Sequence, residues 1–98
     1  MAYGQQQDGR IPFPRGKEVL GIVDEMLGGS RFRVRCIDQK ERICRIPGKS
    51  KRGVWVKVAD LVLIEPWDIE PNEKGDILFR YTRTQVEQLR RKGIRTPV

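Results

Sequence analysis

The stretch Arg31-Phe32-Arg33-Val34-Arg35-Cys36-Ile37 alternates between basic and apolar side chains. Because successive side chains of a β-strand point to opposite faces, this alternation is typical of a strand with one buried face and one exposed face. We therefore predict that Phe32, Val34 and Cys36 enter a core. The arginines between them would share the outer face at intervals of about 6.6 Å.

Turn-forming residues divide the flanking sequence into further short strands. Gly28-Gly29-Ser30 is predicted to form a hairpin turn before this strand. Gly21, within the preceding apolar run, indicates a bend or bulge. Residues 54–58 alternate again, which predicts a strand with its valines buried and Trp55 and Lys57 outside. The predicted strands span residues 18–27, 31–37, 42–46, 54–58, 60–65 and 76–82.

Five or six short strands with glycine bends predict an all-β fold, a small five-stranded oligonucleotide-binding barrel. A Greek-key SH3-like barrel is the alternative. Thr84-Gln85-Val86-Glu87 is predicted to form a capping box that opens a short C-terminal helix, and Gly93 suits the position after its end. The predicted organisation is a flexible N-terminal arm that only Ile11 and Phe13 could anchor, a barrel, and a helix with a tail, at 1–17, 18–83 and 84–98 respectively.

Length and composition exclude several classes of protein. The chain has 98 residues, which suits one small domain, and no histidine, which removes His-based triads and His-ligated metal sites. No apolar run approaches the roughly 20 residues of a membrane span. Residues 1–16 lack the apolar core of a secretory signal. We therefore expect a cytoplasmic protein that does not associate with membranes.

The two cysteines, Cys36 and Cys44, are too few for a disulfide scaffold or a four-thiolate zinc site. They are predicted to be buried, reduced thiols, and a redox pair is the alternative. The carboxylates form no plausible catalytic set, and there is no nucleophile–base pair or dinucleotide fingerprint. We expect neither an enzyme nor a cofactor or metal.

Charge is distributed unevenly around a net value of +7. Residues 31–57 hold ten Lys/Arg against two Asp/Glu, whereas residues 59–79 hold one lysine against six acidic residues. A surface divided in this way predicts a polyanionic partner, with nucleic acid favoured over an anionic membrane.

Three features carry this expectation. The row of Arg31, Arg33 and Arg35 has no acidic residue within it, so we interpret it as a phosphate-binding surface to which Arg42 or Arg45 of the next strand is added. Trp55 is a candidate stacking platform for a base, although it could also pack beneath a loop. The basic loop 48–53 has glycines that let a backbone approach phosphate, but it lacks the spacing of a Walker A loop.

The run MLGGSRFRVRCIDQKERICRIPGKSKRGVWVKVADLVLIEP, residues 26–66, resembles translation initiation factor 1A of archaea and eukaryotes. The resemblance rests on the Met-Leu-Gly hairpin, a cysteine before the aspartate turn, and a second cysteine in a basic strand. Gly48-Lys49, Val54-Trp55-Val56 and the closing strand with Ile77, Leu78 and Tyr81 extend it. The sequence resembles the archaeal type of this family, because residues 1–15 are nearly neutral and the sequence has no long acidic tail.

The resemblance implies an oligonucleotide-binding barrel related to bacterial initiation factor one. It implies binding at the A site, in the decoding region of the small ribosomal subunit, and assembly with initiator tRNA, mRNA and other initiation factors, by a monomer. It also implies that the barrel face and the loop after the third strand contact ribosomal RNA. The candidate RNA-binding residues are Arg31, Arg33, Arg35, Arg42, Arg45, Lys49, Lys51, Arg52, Trp55 and Lys57.

Two other functions fit the same sequence. A sequence-independent single-stranded RNA-binding chaperone would use the same barrel. An interaction module would use the acidic segment 65–76 to recruit a basic protein.

Overall fold

The structure, a computed structural model, describes residues 11–47 and 56–97. Within these residues, five strands close into a barrel in the order β1-β2-β3-β5-β4. The β3–β5 pair is parallel, and the other neighbouring pairs are antiparallel. The elements are β1 Val19–Gly28, β2 Arg31–Cys36, β3 Glu41–Arg45, β4 Leu61–Pro66, β5 Lys74–Tyr81 and α1 Arg83–Arg91. The predicted five-stranded barrel followed by a short helix is confirmed.

The core consists of two clusters of buried side chains. The first contains the inward residues of β2, with Phe32, Val34 and Cys36 all buried as their alternation predicts. The second joins strand residues such as Leu63 and Phe79 to Leu89 of α1 and to Ile11. The Tyr81 hydroxyl also donates to the carbonyl oxygen of Pro12 at 2.7 Å. The helix and residues 11 and 12 are therefore packed against the barrel through the second cluster.

Glycine positions explain the shape of the first hairpin. A Cβ on Gly21 would lie 2.5 Å from the Cγ1 atom of Val34, so this glycine allows β1 and β2 to pack closely. The predicted bulge lies elsewhere in β1, where the register shifts between Val23 and Glu25. Gly29 and Ser30, both with positive φ near 60°, form the predicted turn.

The approach to β4 differs from the prediction of a strand at 54–58. Residues 48–55 lie outside the described residues, and residues 56–60 contain no strand. Val56 is buried and Lys57 is exposed, as predicted, but Val58 is half exposed. The reason is a turn: Asp60 accepts a hydrogen bond from the Lys57 N–H at 2.9 Å, and Ala59 has positive φ.

The N-cap of the helix lies two residues before the predicted cap. Thr82 is the N-cap, its side chain accepts from the Gln85 N–H, and the Gln85 side chain accepts from the Thr82 N–H. The capping box predicted at Thr84 is therefore wrong, because Thr82 holds the extended backbone that a cap requires. Gly93 follows the C-cap with positive φ, as predicted.

Candidate nucleic-acid interface

The outer face of β2 and β3 gathers most of the described candidate residues. Arg31, Arg33 and Arg35 alternate with the buried side chains of β2 and point away from the core. In the β2–β3 register, Arg31 lies opposite Arg45. Like charges placed opposite each other destabilise a sheet, and a nearby anion offsets this repulsion. We call these four arginines the basic face.

Acidic residues from β1 border the basic face. The Arg33 Nη1 atom lies 2.6 Å from the Glu25 Oε1 atom, and the Arg35 Nη2 atom lies 4.0 Å from the Asp24 Oδ1 atom. The irregular register of β1 leaves both carboxylates exposed, although adjacent residues of a regular strand point to opposite faces. Exposed pairs of this kind contribute about 0–1 kcal/mol, so phosphate can replace the carboxylates at low cost.

Arg42 does not belong to the basic face. Its side chain is only 3% exposed. Its guanidinium donates to both carboxylate oxygens of Asp38, at 3.1 and 2.9 Å, and to the Pro71 carbonyl oxygen at 2.6 Å. Arg42 is a predicted RNA-binding residue, but the inward parity of β3 places its side chain with Cys44, away from the outer surface. Arg42 connects the β2–β3 turn to the segment before β5.

Arg45 is the basic residue that β3 contributes to the outer surface. Its Nε atom donates to the Asp76 Oδ1 atom at 3.3 Å, and its guanidinium carbon lies 4.8 Å from the centre of the Trp67 ring. The Trp67 indole N–H donates to the same Asp76 oxygen at 2.9 Å. Sequence reasoning missed Trp67, which lies in the segment interpreted only as an acidic loop.

Lys57 lies in a different setting from the basic face. It lines a groove between the 57–60 turn, the end of β5 and α1, together with Arg80, Arg83 and Arg90. The Arg80 Nη1 atom lies 3.9 Å from Asp60 Oδ2 in this groove. In the sequence, the signal for this second basic surface is the charge of residues 80–98, which hold six Lys/Arg against one glutamate.

The C-terminal segment adds a further basic residue near β2. Arg35, Lys40 and Arg95 line one groove between the β2–β3 hairpin and residues 95–97. The sequence did not predict that Arg95 lies near the hairpin, because the two are far apart along the chain. The remaining candidates, Lys49, Lys51, Arg52 and Trp55, lie outside the described residues.

Both thiols are free and buried, as predicted. Burial raises the pKa of the Cys36 thiol and of the Cys44 thiol, which keeps them protonated at neutral pH. Among the described residues, no group of three or more His, Cys, Asp or Glu side chains is arranged to hold a metal ion. Within the same residues, no helix has the length and apolar character needed to cross a bilayer.

The comparisons with known proteins agree with the barrel and the helix. The family model described as Translation initiation factor 1A / IF-1 matches residues 8–97. Translation initiation factor 1A of Pyrococcus abyssi is 50% identical over 84 residues, which cover 86% of this chain and 74% of the relative. Translation initiation factor 1A of Methanococcus maripaludis strain C5 is 51% identical over 90 residues, which cover 90% of this chain and 87% of the relative.

A solved structure supports the same assignment. The solution structure of translation initiation factor one from the Wolbachia endosymbiont of Brugia malayi aligns with a TM-score of 0.54 and 32% identity. The alignment covers 74% of this chain and 85% of that one. The family model, the archaeal relatives and the shared barrel show that the chain belongs to the translation initiation factor 1A family and acts in translation initiation.

Proposed function

We propose that the protein binds the small ribosomal subunit at the A site, in the decoding region, through the basic face. There it promotes assembly of the preinitiation complex with initiator tRNA, mRNA and other initiation factors. It acts by binding, without catalysis or a cofactor, as a cytoplasmic monomer. The observation that carries this proposal is the outward row of arginines on β2, with Arg45 opposite Arg31, in a member of an initiation factor family.

The chemistry of the basic face fits ribosomal RNA. Guanidinium groups bind phosphate oxygens in a bidentate way, and contacts of this kind position a protein on a folded RNA. The row on β2 is extended beyond the strand by Lys40 and Arg95, which line a groove with Arg35. Occupying the A site in this way would block premature entry of a tRNA.

Co-sedimentation with purified small and large ribosomal subunits tests the proposal. Each subunit is incubated with the protein, with and without an excess of unstructured RNA as competitor. We expect saturable one-to-one binding to the small subunit that survives the competitor. Protection of decoding-region nucleotides from chemical probes, and competition with a tRNA in the A site, then test the location. Absence of both effects would contradict the A-site assignment.

A pair of variants tests the basic face in the same assay. Arg33→Gln with Arg35→Gln removes two cations without creating like-charge pairs against Glu25 and Asp24. The matched control, Arg91→Gln with Lys92→Gln, makes the same change in net charge at the exposed end of α1. We expect the first pair to abolish binding to the subunit and the control to retain it.

The exposed arginines also favour one alternative, a sequence-independent single-stranded RNA-binding chaperone, since phosphate contacts carry no sequence information. That function predicts equal binding to both subunits and its loss when competitor is added. The same co-sedimentation therefore separates the two functions.

A further inference from the structure

Trp67 is held in place at the end of β4 by two hydrogen bonds to β5. Its backbone N–H donates to the Lys74 carbonyl oxygen at 3.0 Å. Its indole N–H donates to the Asp76 Oδ1 atom at 2.9 Å. One bond orients the main chain and the other orients the ring, so the indole face has a defined position beside the basic face.

Arg45 rests on that ring. Its guanidinium carbon lies 4.8 Å from the ring centre, within the range of a cation–π contact. Its Nε atom donates to the same Asp76 oxygen at 3.3 Å. Arg45 and Asp76 are also direct partners in the parallel β3–β5 pairing, which places the two side chains next to each other. The guanidinium is thus fixed at one face by the indole and at one edge by the carboxylate.

Among the described residues, the contacts of Arg45 with Asp76 and Trp67 leave its terminal nitrogens available. The hydrogen bond to Asp76 uses Nε, so the terminal nitrogens Nη1 and Nη2 are not engaged in it. The side chain is still 57% exposed. Nη1 and Nη2 form the planar fork of the Arg45 guanidinium. Because this fork is already ordered in the free protein, binding a phosphate there costs less side-chain entropy than binding it with a mobile arginine. Arg31 lies opposite in the register and supplies a second cation.

We propose that Trp67 and Asp76 are positioning residues that hold Arg45 as a preformed fork for a phosphate group of the RNA backbone. The inference deepens the proposed function and rests on it for the identity of the RNA. It assigns Asp76, a carboxylate beside a polyanion-binding surface, a role that strengthens RNA binding. Simple charge complementarity assigns it the opposite role, since removing a carboxylate raises the positive charge.

Two alanine variants exploit this contrast. Asp76→Ala removes the carboxylate that orients Arg45, and the matched control Glu25→Ala removes a carboxylate that pairs with Arg33 without an aromatic ring. The probes are small ribosomal subunits and a single-stranded oligouridylate of about 12 nucleotides, within the site size of one such barrel. We expect Asp76→Ala to weaken binding several-fold and Glu25→Ala to strengthen it. Tighter binding by Asp76→Ala, or equal effects of the two variants, overturns the proposal.

A double-mutant cycle separates positioning from direct contact. Trp67→Leu and Arg45→Ala should each weaken binding roughly tenfold, the effect of losing one charge-assisted contact. In the Arg45→Ala background, Trp67→Leu should have no further effect. An undiminished loss in that background overturns the proposal, since Trp67 would then contact RNA directly or support the fold. Trp67→Phe, which keeps a ring face but lacks the indole N–H, should restore part of the affinity.

The two probes distinguish a failure of the Arg45 fork from a failure of the proposed function. Urea unfolding of each variant identifies the conditions in which it is folded, and affinities are compared there. If the wild-type protein binds the oligouridylate without preferring the small subunit, the proposed function fails while the cycle still tests the fork. If the subunit is preferred and the cycle is additive, only the fork is overturned.

Discussion

Arg42 is a cation that the barrel has placed in its interior. Burying a charge is unfavourable unless hydrogen bonds and an opposite charge compensate it. Asp38 provides both, through two hydrogen bonds at 3.1 and 2.9 Å, and the Pro71 carbonyl oxygen accepts a third at 2.6 Å. The arginine therefore joins two segments that are distant in sequence, and its contribution is to stability.

Replacing Arg42 tests this structural role. Arg42→Ala removes a buried guanidinium with its three hydrogen bonds and leaves the partly exposed Asp38 carboxylate without its partner, so we expect the free energy of unfolding to fall by about 2–3 kcal/mol. The control Arg45→Ala breaks an exposed ion pair with Asp76 and an exposed contact with the Trp67 ring, which together should contribute about 1 kcal/mol. Urea unfolding followed by circular dichroism measures both. Equal losses would contradict the assignment of Arg42 to the interior.

The same pair predicts an acid dependence of stability. Hydrogen bonds from Arg42 hold the pKa of Asp38 below its usual value. A carboxyl group whose pKa is lower in the folded protein than in the unfolded chain stabilises the fold. This stabilisation is fully present when the pH is above the unfolded pKa, about 3.9, and it is lost as the pH falls through the folded pKa. We expect the stability of the wild-type protein to decline below about pH 4.

Asp38→Asn should flatten this decline in urea titrations. The exposed pair of Lys17 with Asp68 also holds the pKa of Asp68 low, and high salt screens that pair much more than the buried one. At high salt, an unchanged decline in Asp38→Asn would show that other groups cause it.

At the scale of elements, Thr82 is the N-cap that begins α1, whereas Thr84 lies inside the helix. Thr82→Ala removes the side chain that accepts from the Gln85 N–H, and we expect a loss of about 1 kcal/mol. Thr84→Ala alters an exposed position inside the helix and should change stability by less than about 0.5 kcal/mol. Thermal unfolding of the two variants compares them directly. A larger loss in Thr84→Ala would place the cap where the sequence alone predicts it.

At the scale of the whole molecule, the basic face predicts a strong dependence of RNA binding on salt. Each phosphate contacted on a single strand contributes about −0.7 to the slope of log affinity against log salt concentration. Four arginines therefore predict a slope near roughly −3, and Arg33→Gln with Arg35→Gln should reduce its magnitude by about 1.4. Titration of the oligouridylate complex with potassium chloride measures the slope. A slope near zero would contradict every RNA-binding function.

Local alternation and turn chemistry were sufficient to predict the barrel, the orientation of β2 and the hairpin at Gly29-Ser30. They were also sufficient to place Arg31, Arg33 and Arg35 on one face, because side-chain parity depends only on neighbours in sequence. The family resemblance was also visible in the sequence, because it depends on short motifs of neighbouring residues. Relatives with about 50% sequence identity confirm it.

Only the tertiary structure decided which charges meet. Closure of the barrel brings Asp76 and Trp67 to Arg45, the shifted register of β1 brings Glu25 to Arg33, and the segment before β5 brings the Pro71 carbonyl oxygen to Arg42. These contacts join segments that are distant in sequence, and their partners depend on register, bulges and closure. Parity along one strand specifies which face a side chain occupies, but only the packed barrel specifies what lies beside it.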